Sequence, residues 1–124
     1  MTDFGGCAAR QEFKAHGSRV QVHDEFVHVK RSLLSRLGGN SDATIWLNNV
    51  RDIVAMEPTR TVNGYVYLRT ASDPDLLRML APSRYHRIDS NPHTVMFTYV
   101  LRDEQRELLA WLREMRSGVR ELWT

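Results

Sequence analysis

The chain has 124 residues, 42% of them hydrophobic and 26% charged, which fits one globular domain able to bury a core without staples. Its net charge of +2 is spread over interleaved signs, without the concentrated basic face of a nucleic-acid binder. The first residues, MTDFGGCAARQEF, predict no signal peptide, and no apolar run reaches the roughly 20 residues of a membrane span. Cys7 stands alone and excludes an internal disulfide, so a cytoplasmic setting is expected.

Residues 1–11 read as a loose leader, because Gly5, Gly6, Ala8 and Ala9 offer little to bury. The domain is predicted over 12–117, followed by a tail over 118–124. EFKAHGSRVQVHDEFVHVKR reads as three short strands. HGS and HDE supply the turns. Val20 and Val22, then Val27 and Val29, alternate with polar or aromatic neighbours, the period of a half-buried strand. SLLSRLGGNSD, 32–42, carries Leu33, Leu34 and Leu37 at near-helical spacing before Gly38 and Gly39 break the pattern. It is either a helical turn or a long hairpin loop.

ATIWL resumes strand character, with Ile45 and Leu47 on one face and Trp46 on the other. IVAMEP is a further strand stopped by Pro58. TVNGYVYLRT is β-branched and aromatic, with Gly64 relieving a bend or bulge. SDPDLLRMLAP reads as a short helix capped by Ser72 or Asp73, with Pro74 in its first turn and Pro82 at its end. HTVMFTYVL is the last predicted strand, with Val95, Phe97, Tyr99 and Leu101 on one face. Asp103 is the expected N-cap of a final helix whose Leu108, Leu112, Met115 and Val119 form one stripe, widened by Leu109 and Trp111.

About seven antiparallel strands and one amphipathic helix result. The helix is too short to be stable alone, so its stripe must cover the open end of a curved sheet. A mainly β (α+β), pleckstrin-homology-like barrel follows, with two near-orthogonal sheets capped by the C-terminal helix.

GSRVQVHDEFVHVKR, TIWLNNVRDIVAMEP, VNGYVYLRT and the closing NPHTVMFTYVLRDEQRELLAWLREM resemble a family of small, uncharacterised bacterial and phage domains of the actinobacterial type. The closing stretch carries the family's pattern of an Asn or Asp turn, TV-x-F and a last helix. The likeness covers roughly residues 13–116 and implies a pleckstrin-homology-like fold. It implies no particular reaction, cofactor or ligand. It does imply that surfaces for self-association or for a protein partner suit such a domain.

The residues are poor in chemistry. His23 and His28 could face one another across a hairpin, but no Cys or carboxylate joins them at ligand spacing. They read as solvent-facing, and no metal is predicted. Asp24 and Glu25 are turn residues, and there is no nucleophile elbow, phosphate loop or dinucleotide fingerprint. No enzyme, cofactor or small-molecule substrate is therefore expected.

Leu122 and Trp123 follow the predicted helix end near Gly118, and Trp46 lies opposite its strand's apolar face. These three are the candidate interface residues, since exposed Trp is favoured at interaction sites. Arg19, Lys30, Arg31 and Arg36 form a candidate basic rim. Arg78, Arg84, His86 and Arg87, with Tyr85 to stack on a base, make a second and looser group. The leading expectation is a non-enzymatic protein-binding or self-assembly module. The alternative is an anionic-surface binder, acting on phospholipid headgroups or, with less support, nucleic acid.

Overall fold

The computed structural model describes residues 11–81 and 87–124. The first sheet is an antiparallel meander of β1 (Gln11–Ala15), β2 (Ser18–Val22), β3 (Phe26–Arg31) and β4 (Ala43–Trp46), in that order. Gly17 turns β1 into β2 with φ of +67°, a conformation that glycine adopts without a Cβ penalty. Between β3 and β4 lies α1 (Leu33–Leu37), capped by the Ser32 hydroxyl, which accepts from Ser35 N.

The second sheet has the order β7-β6-β5-β8. It comprises β5 (Val50–Met56), β6 (Gly64–Thr70), β7 (Thr94–Phe97) and β8 (Arg120–Trp123). The helix α2 (Leu76–Leu80) lies between β6 and β7, and α3 (Arg102–Met115) between β7 and β8. Gly64 is required by close approach: a Cβ there would stand 2.3 Å from Met56 O and 2.4 Å from Pro58 N.

Val20, Val22, Val27, Val29 and Ile45 of the first sheet meet Ile53, Val66, Leu68, Val95 and Phe97 of the second in one core, closed by Leu108, Leu109 and Leu112 of α3. Burying each such side chain contributes roughly 1.5–3 kcal/mol. The same helix face carries the fully buried Gln105, whose Nε2 donates to Met56 O and Tyr65 O at 2.9 and 3.1 Å. On the outer face of the second sheet Val54 and Tyr67 pack with Leu76 and Met79 of α2.

The expected α+β architecture of two sheets with a C-terminal helix stands, but the expected barrel of about seven antiparallel strands is corrected: the sheets do not close into a barrel. There are two separate four-stranded sheets among the described residues, and β5 and β8 pair in parallel. The sheets approach at one corner, where His16 N donates to Met96 O at 2.8 Å. The eighth strand lies in the segment predicted as a tail. Arg120 stands beside Asp52, and Leu122 beside Val54. Leu122 thus covers the outer apolar cluster.

Smaller differences have local causes. The last predicted strand stops at Phe97, because Tyr99–Leu101 turn as a 3-10 helix that runs into α3. That places Asp103 in the first turn of α3, where its charge suits the helix dipole, and leaves the N-cap position to Leu101. α2 is capped by Asp75, which accepts from Arg78 N, and not by Ser72 or Asp73. Met115 is left partly exposed at the end of α3. The leader through Arg10, with Cys7, lies outside the described residues, as do Pro82 and the group Arg84, Tyr85 and His86.

Candidate interaction surface

Of the three apolar candidates, Trp46 is 47% exposed on the edge strand β4 and leans on Phe26, with ring centroids 5.0 Å apart. Trp123 is 45% exposed on β8, the edge of the other sheet. Its Nε1 donates to Glu121 at 2.8 Å, and Glu121 in turn receives two bonds from Arg113 of α3. Leu122 is half-buried against the outer cluster. The two tryptophans therefore sit on different sheets and do not form one patch with Leu122.

Three of the four predicted rim residues lie on the first sheet, and one of those points inward. Arg31 continues the parity of Val27 and Val29 and is buried. Its guanidinium donates to Ser41 O, Pro92 O and Thr94 O at 2.9–3.1 Å, tying the first sheet to the turn before β7. It is chiefly a strut, a largely buried side chain at the floor of the predicted rim. Burial lowers its pKa, with Asp42 opposing that shift. Arg19 and Lys30 stand in register with Lys14 across β1, β2 and β3, a row of three cations. Arg19 pairs with Glu12 at 3.1 Å, and Arg36 pairs with Asp42 at 2.9 Å. The depression over this face is lined by Lys14, Arg19, Lys30, Arg31 and Arg36, with Glu12 and Leu33 beside them.

His23 and His28, expected to face solvent, are buried. His23 stacks on Phe26 at 4.2 Å, and His28 Nδ1 lies 3.2 Å from the Thr44 hydroxyl. Burial is the main cause of a lowered His28 pKa. Among the described residues no three His, Cys, Asp or Glu side chains are grouped so as to hold a metal ion.

Two carboxylate centres are structural. Asp52 is buried and accepts from Arg69 on one oxygen and Arg120 on the other, joining β5, β6 and β8. Burial pushes its pKa up, but the two arginines pull it below the ordinary carboxylate range. Asp73 accepts from Thr70 N at 2.9 Å and Asn91 Nδ2 at 3.2 Å, and lies 3.0 Å from His93 Nδ1. Here too burial is outweighed, by bonds from His93, Thr70 and Asn91, and the carboxyl is held well below its usual range. Tyr67 is pushed above its ordinary value by burial first and by Asp73 second. The acceptor positions of Asp73 are taken up by the turns at 70–73 and 91–93, which makes the group a clamp between them.

The surface that sequence reasoning missed is α1. Leu33, Leu34 and Leu37 are 72%, 82% and 76% exposed, and α1 buries no residue. Beside it, on the outer face of the second sheet, lies an apolar groove of about 470 Å³ lined by Met56, Tyr65, Met79, Ile88 and Met96. Isolated exposed leucines are ordinary, whereas three on one short helix make a contiguous exposed apolar patch. The near-helical spacing was visible; nothing local to it reveals that no strand would cover it.

Comparison with protein-family models, with curated proteins and with solved structures finds no match.

Proposed function

We propose that this chain is a non-enzymatic protein-binding or self-assembly module on a pleckstrin-homology-like framework. The observation that carries the reading is the three-leucine knuckle of α1, three large apolar side chains each more than 70% exposed on one short helix. Supporting the framework reading, a four-strand meander precedes three further antiparallel strands and a helix that covers their common core. The bacterial or phage type of the resembling family and a cytoplasmic setting belong to the same proposal. No described helix is long and apolar enough to cross a membrane.

The test compares the intact chain with the triple variant Leu33→Ser, Leu34→Ser, Leu37→Ser, by light scattering and by affinity capture. The intact chain is expected to self-associate, or to retain a protein that the variant loses. An intact chain that does neither would sink the reading.

A second reading has its own observation, the in-register row Lys14, Arg19 and Lys30. Three cations in one row across a sheet, with Glu12 as Arg19's ion-pair partner, present positive charge that an anionic surface would complement. Retention on anionic vesicles or on DNA must then fall steeply with added salt. Absence of retention at low ionic strength removes this alternative.

A further inference from the structure

We infer that the basic depression on the outer face of the first sheet, with Leu33 at its edge, binds an acidic segment of another protein that also carries an apolar side chain. This rests on the protein-contact reading above and gives that partner its chemistry and its place.

The depression, of about 670 Å³, lies over β1, β2, β3 and the start of α1. Lys14, Arg19, Lys30, Arg31 and Arg36 line it, with Glu12 as the one carboxylate in the lining. Two more carboxylates adjoin it among the described residues: Asp42 pairs with Arg36 at 2.9 Å, and Glu104 accepts from Lys14 N at 3.3 Å. Five cations thus stand against three carboxylates, and positive charge is in excess.

Lys14, Arg19 and Lys30 are exposed and directly opposite one another across three strands. Neighbouring strands lie about 4.8 Å apart, so the row spans roughly 10 Å. Side chains two positions apart on an extended segment stand about 7 Å apart, so two carboxylates of such a segment fit along the row. Leu33 is 72% exposed and lines the same depression, so an apolar side chain beside those carboxylates meets it. Leu37, one turn further on, shares that helix face. Charge and apolar contact come together in one place, which is how basic clusters select acidic protein motifs.

Shape favours a protein segment over a bilayer. A helix lying in a membrane interface buries its apolar residues along one face. Here Leu33 and Leu34 line different depressions, Leu34 the one shared with His16 and Met96. Arg31 is only 8% exposed, so its charge is approached by a side chain that projects into the depression and not by a flat layer of headgroups. Glu12 accepts from Arg19 at 3.1 Å and from Gln21 at 3.0 Å. Its charge would oppose a uniformly anionic layer, whereas a peptide of mixed composition sets a neutral residue there.

The experiment selects a displayed library of short random peptides on the immobilised intact chain, then measures the enriched peptides by fluorescence anisotropy. Those peptides are expected to be rich in Asp and Glu beside a large apolar residue. The double variant Arg19→Glu, Lys30→Glu is expected to weaken them by about tenfold or more, and Leu33→Ser by about tenfold. Leu34→Ser, on the other depression, is expected to change affinity by less than about twofold. Circular dichroism melting verifies that each variant folds, and Lys30→Gln alone replaces the double if that one does not. No enrichment, or enrichment without acidic residues, overturns the inference, as does equal binding to the intact chain and the cation variant. A cellular protein retained by the cation variant but lost by the triple Leu33→Ser, Leu34→Ser, Leu37→Ser overturns the acidic-segment assignment and leaves the protein-contact reading standing. A doubled mass of the intact chain that the cation variant abolishes overturns it in favour of a second copy. Retention on phosphatidylserine-containing vesicles that needs both Lys30 and Leu33, without peptide binding, overturns it in favour of a membrane surface.

Discussion

In α3, Leu108, Leu109 and Leu112 lie in the core formed by both sheets; in α1, Leu33, Leu34 and Leu37 lie against nothing in the described chain that buries them. Both segments carry leucines at helical spacing. The difference is in what the topology places opposite each. α3 has 14 residues and crosses the open side of the core, where Gln105 anchors it to the carbonyls of Met56 and Tyr65. α1 has five residues and sits in the connection between neighbouring strands β3 and β4, out beyond the sheet. Periodicity reports which residues share a face; only long-range topology decides whether that face is covered.

Substitutions on the two helices should separate sharply. Leu109→Ala in α3 opens a cavity in the core and is expected to cost about 3 kcal/mol in urea unfolding. A loss well under 1 kcal/mol would mean that α3 packs loosely. Gln105→Ala leaves the Met56 and Tyr65 carbonyls without their side-chain donor and should cost about 2 kcal/mol by the same measurement. An unchanged midpoint would show that water replaces the amide.

Acid provides a third way to sharpen the contrast, because the second sheet holds depressed carboxylates. Asp52 and Asp73 stay ionised in the fold below the pH, near 4, at which the unfolded chain takes up protons. The unfolded state then binds more protons, so stability is full above about pH 5 and falls as the medium is acidified through pH 4 and below. Melting temperatures at descending pH should show this decline, and Asp52→Asn should flatten part of it. A pH-independent melt would contradict the assigned clamps. The smallest stability effects are expected in α1: each of Leu33→Ser, Leu34→Ser and Leu37→Ser should change unfolding by no more than about 0.5 kcal/mol. A large loss at any of them would give α1 a structural role instead.

Much of the fold was legible. The valines of β2 and β3 alternate and are buried, and the placement of Ile45 inward with Trp46 outward follows from parity alone. The same parity carried information that the basic-rim reading overlooked: Arg31 follows Val27 and Val29 and points inward with them. β8 was not legible, because RELW is only four residues long. Its pairing with β5 depends on Asp52 accepting from Arg120, 68 positions away. That bond and the Leu122 contact with the outer cluster turn a predicted tail into a strand. The exposed tryptophans were partly legible as well, but their separation onto two sheets required the topology. The α1 knuckle was hardest to see, since a leucine triplet at helical spacing ordinarily signals burial.

The central claim is that α1 presents its leucines to another protein surface, and the molar mass of the intact chain in a concentration series tests it most directly. The account predicts that the intact chain, unlike the folded triple-serine variant, either rises in mass above 14.4 kDa or retains a protein that the variant loses in affinity capture. Equal masses throughout the series together with no such retention would contradict it.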